Sequence, residues 1–209
     1  MCFDSSCLGY LLIIVIAAYA ILIFFGLKYR KKVLEKNLLL TADQIWRKAL
    51  SRTNLAKLKK SNLLFSIQQD GSLSTTVLVI KDHNDAVIGQ VECATGHREY
   101  KIWVGKDLYR INFLLSGWRS AQLISDINAN ELASYKMVNI YGQHEFNIPG
   151  YGKLVSKRVS PFWPKIFNYH DEKTILGLKQ RISATRVIGN LVVLPSDIPL
   201  AIRIFILVL

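Results

Sequence analysis

The sequence predicts a mainly β chain of the α+β class. One antiparallel sheet system surrounds a short C-terminal apolar helix and hangs from an N-terminal transmembrane helix, with an amphipathic helix between. Three observations carry this. Leu8–Leu27 holds twenty residues without a charge, an Asn, a Gln or a Pro. Between Ser61 and Leu194, β-rich runs recur at short intervals with Gly, Asn and Asp between them. The final segment, Ile198–Leu209, is apolar on every side apart from Arg203.

At 1.5 Å per residue a helix over Leu8–Leu27 is about 30 Å long, the hydrocarbon thickness of a bilayer. Inside lipid the backbone satisfies itself as a helix, so the β-branched Ile and Val are no obstacle. A cleaved signal peptide is the rival reading. It needs a basic start, a shorter apolar core and a small-residue cleavage site. Met1–Cys7 has no Lys or Arg and carries Asp4, and the run ends in Phe24-Phe25-Gly26-Leu27. A retained span is the expectation. Lys28, Arg30, Lys31, Lys32 and Lys36 follow it directly, so everything beyond Lys28 is expected in the cytoplasm and residues 1–7 as a short tail outside.

The net charge of +12 is unevenly placed. From Lys28 to Lys60 eleven basic residues face two acidic ones, a net of +9; from Ser61 onward sixteen face twelve, a net of +4, and Asp4 takes one away. The basic excess therefore lies beside the membrane. The candidate lipid-binding residues are Lys28, Arg30, Lys31, Lys32, Lys36, Arg47, Lys48, Arg52, Lys57, Lys59 and Lys60, each worth ~1 kcal/mol close to an anionic leaflet. Setting topology is an equally sufficient job for the first five. Nucleic acid is disfavoured as a partner, because the basic excess lies against lipid.

Within this basic segment, 28–60, Val33–Leu40 can prolong the membrane helix. Thr41-Ala-Asp-Gln44 reads as a capping box that starts a second helix. Ile45, Trp46, Ala49, Leu50, Leu55 and Leu58 fall near one face of it. The same apolar face suits the membrane surface or the following domain, and the sequence does not choose between them.

The domain proper is expected over Ser61–Leu209. Thr75–Ile80 and Val87–Cys93 read as a hairpin about Asp82-His-Asn-Asp85. Tyr100–Val104 and Leu108–Leu115 turn at Gly105-Lys-Asp107. Further strands are expected at Gln122–Ser125, Tyr135–Tyr141, Lys153–Val159, Thr174–Ile182 and Arg186–Leu194, with Pro161–Pro164 as a break. Ser196 or Asp197 is the expected cap of the last helix, with Pro199 in its first turn. With an Arg and about a dozen residues this helix is too short to span a bilayer, and an all-round apolar helix belongs in a core.

Many short strands followed by an apolar helix opened by Leu194-Pro-Ser-Asp-Ile-Pro199 resemble the tubby C-terminal-like superfamily, which includes phospholipid scramblases and LURP-one-related proteins. The resemblance implies a closed antiparallel barrel around a central helix, here 198–209. Scramblases carry their membrane segment at the C-terminal end, whereas this chain carries it at the other. No site residue transfers by motif.

Chemistry is sparse. His83, His97, His144 and His170 show no ligand spacing. G-x-S-x-G, G-x-x-x-x-G-K-[ST] and G-x-G-x-x-G are absent. Asp82, Asn84 and Asp85 form a turn rather than a calcium loop. Cys2, Cys7 and Cys93 make neither a disulfide framework nor a metal site, though Cys2 and Cys7 could pair or carry a lipid. No enzyme activity, cofactor or metal is expected. Phe162, Trp163, Lys165 and Phe167 form a candidate interfacial loop, with a plug at one end of the sheet as the plainer reading. Lys179, Arg181 and Arg186 with Lys101, Lys106 and Arg110 offer a candidate basic face, with a solvated strand face as the alternative.

The expected function is a membrane-tethered, non-enzymatic domain binding anionic phospholipid or an acidic protein partner. A scramblase-like transporter and an envelope-assembly component with the domain on the outer side are the alternatives.

Overall fold

The computed structural model describes residues 5–50, 58–71, 75–94, 99–114, 120–138, 143–158, 166–170, 175–181 and 188–209. The fold is mostly antiparallel β sheet with an apolar N-terminal helix and a C-terminal helix. The first helix, α1 (Ser5–Leu38), overruns the expected span at both ends. Arg, Lys, Glu and Leu after Leu27 are good helix formers and nothing there breaks the ladder. The window Leu12–Tyr29 is long and apolar enough to cross a membrane, and none of it is buried against protein.

Three residues later α2 (Ala42–Leu50) begins. The capping box forms as expected: Gln44 N–H donates to Thr41 Oγ1 at 3.3 Å and Thr41 N–H to Gln44 Oε1 at 3.2 Å. Ala42 and Ile45 are buried on Leu63, Phe65, Ile67, Leu191 and Val193, with Leu40, Trp46 and Leu58 around them. Of the expected apolar face, Ile45, Trp46 and Leu58 thus pack on the domain, while the Ala49 and Leu50 side chains and the whole of Leu55 lie outside the described residues.

After a 3₁₀ turn at Lys60–Asn62 the strands run β1 (Leu63–Gly71), β2 (Thr75–Asp82), β3 (Val87–Ala94), β4 (Glu99–Val104), β5 (Asp107–Phe113) and β6 (Ser120–Ser125). They continue as β7 (Glu131–Met137), β8 (His144–Ile148), β9 (Gly152–Arg158), β10 (Ile166–His170), β11 (Ile175–Arg181) and β12 (Ile188–Val193). Each pairs antiparallel with its sequence neighbours, and β1 also pairs with β12 through Leu63↔Val193, Leu64↔Val192 and Phe65↔Leu191. Sequence reading missed β1, β8 and β10 and placed the strand at Glu131–Met137 too late in the chain.

This up-and-down order puts the start of β1, the β2–β3 turn and the end of β12 at one end of the sheet, since Leu64 pairs with both Asp82 and Val192. The final helix, α3 (Leu200–Val208), enters from that end. Its N-cap is Pro199, which has no side-chain cap bond, so neither Ser196 nor Asp197 caps it and Pro199 stands just before its first turn. Ala201, Ile202, Ile204, Phe205, Ile206 and Leu207 are buried. Phe205 meets Phe146 of β8 edge-on with centroids 5.8 Å apart. On another side Ile204 fills the space that Gly89 of β3 leaves open: a Cβ there would stand 3.2 Å from Ile204 Cδ1 and 2.8 Å from the Trp103 carbonyl oxygen.

Candidate functional site

Lys28, Lys31 and Lys32 are exposed on α1 and spaced i, i+3, i+4, so they share one face. Because α1 is unbroken, their positions relative to the apolar window are set by helical rise: they stand within about 8 Å beyond Leu27 along the axis. That is the depth of a headgroup layer. Arg30 and Lys36 belong to the same helix, but their side chains lie outside the described residues.

The remaining basic candidates are dispersed. Arg47 is exposed on α2 and Lys59 is exposed before the 3₁₀ turn. Lys60 instead pairs with Asp43, and that ammonium, by hydrogen bond and by charge, holds the Asp43 carboxyl below its ordinary value. The Lys48 side chain and the whole of Arg52 and Lys57 lie outside the described residues. So do Phe162, Trp163 and Lys165; Phe167 belongs to β10 without a described side chain.

The candidate basic face does not assemble. Lys179 is 7 % exposed and donates from Nζ to the Ile206 carbonyl at 2.8 Å. Arg110 is engaged by Asp126 at 2.7 Å and Glu99 at 3.6 Å. Lys101 and Lys106 are exposed on β4 and its turn, far along the strand order from β11. The Arg181 side chain and Arg186 lie outside the described residues.

Lys179 does other work. Its ammonium and the Asn190 side chain, which donates to the Leu207 carbonyl at 2.9 Å, satisfy carbonyls at the end of α3 that have no helical partner. A cation there also opposes the negative pole of the helix. At the other end, Arg203 interrupts the apolar surface. Its Nε is buried with no hydrogen-bond partner, and burial pushes the guanidinium below its ordinary value against the pull of Asp197.

Asp82 and Asp85 divide the work of their turn. Asp82 Oδ1 accepts from Asn84 N–H at 2.8 Å and Ala86 N–H at 2.9 Å, which closes the hairpin. Asp85, at φ 65°, turns outward and accepts the Ala42 N–H at 2.7 Å, capping α2 from a distant part of the chain. No sequence pattern announces a cap made across 43 residues.

No group of three or more His, Cys, Asp or Glu able to hold a metal occurs among the described residues. His144 Nδ1 lies 2.7 Å from the Tyr135 hydroxyl, and burial pushes that phenol up to about 12. Burial, and secondarily the charge of Glu92, pushes the Cys93 thiol up to about 12, so it holds little thiolate at neutral pH. No family model, curated protein or solved structure matches this chain.

Proposed function

We propose that the chain is a single-pass, non-enzymatic membrane protein whose lysine face at the end of the span gathers anionic phospholipid, with a tubby-like barrel held on the cytoplasmic side. The observation that carries this is the exposed Lys28, Lys31, Lys32 face on the same helix as the apolar window. Three such residues near an anionic surface are worth about 3 kcal/mol together at low screening. The placement of Lys and Arg after the span supports a cytoplasmic domain.

The α2 helix is not available for the bilayer under this reading. Moving it would uncover Leu63, Phe65, Ile67, Leu191 and Val193. At ~1.5–3 kcal/mol for each large apolar side chain, that loss exceeds what Arg47 and its neighbours regain from lipid.

The barrel reading is supported by the β1–β12 pairing and by contacts of α3 with strands on several sides. A scramblase-like role for α3 is disfavoured. It has nine residues where a span needs about twenty, and its carbonyl end is tied to Lys179 and Asn190.

In bilayers of mixed neutral and anionic lipid, spin-labelled phosphatidylserine is expected to be enriched beside the full-length protein over spin-labelled phosphatidylcholine. Replacing Lys28, Lys31 and Lys32 with Gln should abolish the enrichment, and added salt should weaken it. Equal occupancy by both lipids beside the wild-type protein would refute the proposal.

A further inference from the structure

We infer that the joint between β1 and β12 is the edge at which the barrel opens and that α2 is its latch; this rests on the barrel reading above. Every other neighbouring pair joins strands adjacent in the chain, whereas β1 and β12 stand at the two ends of the sheet sequence. Closing that joint therefore costs the most chain entropy. Its ladder carries a register shift between Phe65 and Ile67, as several of the other ladders do elsewhere.

Reinforcement is concentrated there. On the outer face α2 sets Ala42 and Ile45 against side chains of both strands. Within the ladder, Ser66 Oγ accepts the Asn190 N–H at 3.0 Å and donates to the Asn190 carbonyl at 3.3 Å, which spans the irregularity. On the inner face the same Asn190 reaches the Leu207 carbonyl of α3. The outer support rests on the buried Ala42 and Ile45 and on three polar contacts: the Thr41–Gln44 box, the Asp43–Lys60 pair and the Asp85 carboxylate on Ala42. Only Leu39–Thr41 separate α2 from α1, and α1 also contacts β1 directly, so strain on the tether reaches the latch and the first strand of the joint together. When α2 lifts, the joint parts while the hairpins stay paired, a local opening below the cost of global unfolding.

Hydrogen exchange of the full-length protein in lipid nanodiscs, read by peptide, tests this with Asp85→Gly and Ile45→Ala. Gly accepts the positive φ at residue 85, so the first variant removes the carboxylate without straining the turn. Peptides covering β1 and β12 are expected to exchange about five- to tenfold faster in Asp85→Gly, the factor that loss of one cap implies, and at least about thirtyfold faster in Ile45→Ala, which empties a buried site, with β4–β7 unchanged in both. Unprotected β1 and β12 in the wild-type protein would overturn the barrel reading itself. Protection in the wild type with no acceleration in the variants, or with acceleration spread equally over β4–β7, would overturn the latch.

Discussion

Replacing Phe205 with Ala is expected to cost about 3–5 kcal/mol of unfolding free energy, seen as a fall of about 10 °C in the melting midpoint. Phe205 is fully buried at the middle of α3, and its ring meets Phe146 edge-on. The neighbouring side chains Ile204, Ile206 and Leu207 are fully buried too, so the site cannot collapse onto the void without moving several strands. The size of the cost separates the two places this helix could occupy. In lipid, where acyl chains would fill the gap, the same change would lose little. Leu22→Ala, in the apolar window of α1, serves as the comparison and should leave the midpoint within about 2 °C, because that side chain touches no other element. A Phe205→Ala midpoint as close to wild type as that of Leu22→Ala would show that α3 is not packed in the domain.

A fragment beginning at Ser61 is expected to aggregate, whereas one beginning at Leu40 should be soluble and unfold cooperatively. The expected domain start at Ser61 passes between two halves of one apolar cluster. Without α2, Leu63, Phe65, Ile67, Leu191 and Val193 form a contiguous apolar strip on the outside of the sheet. Such strips drive association. Size-exclusion chromatography and denaturant titration of the two fragments decide it. A monomeric Ser61 fragment with the same midpoint as the longer one would mean that α2 contributes nothing to the fold.

Much of the architecture is legible in the sequence because it rests on local chemistry. The apolar window declares α1, and Thr41 with Gln44 declares the start of α2. The turns at Asp82–Asp85 and Gly105–Asp107 mark their hairpins. The strand β1 escapes for a physical reason: Leu63–Gln68 is buried on both faces, one side under α2 and the other toward α3, so the two-residue alternation of a half-exposed strand is lost. β8 and β10 are five residues each, too short for a period to show.

The roles of single polar residues were less legible. Lys179 stands beside Gln180 and Arg181 and reads as part of a charged surface, yet its partner is a carbonyl 27 residues away. The start of α3 misled for a similar reason. Ser196 and Asp197 have the chemistry of a cap, but the helix begins only after Pro199 and uses neither. Of the candidate lipid site, the spacing of Lys28, Lys31 and Lys32 was fully visible. That they project from one continuous helix with the apolar window was not, since a break after Leu27 fits the same residues.

Photolabelling with a diazirine-bearing phospholipid, followed by peptide mapping of the full-length protein in bilayers, tests the central claim most directly. The prediction is adducts on peptides from Leu12–Tyr29 and none on those from Leu200–Val208. Labelling of the C-terminal helix, or an unlabelled N-terminal one, would contradict it.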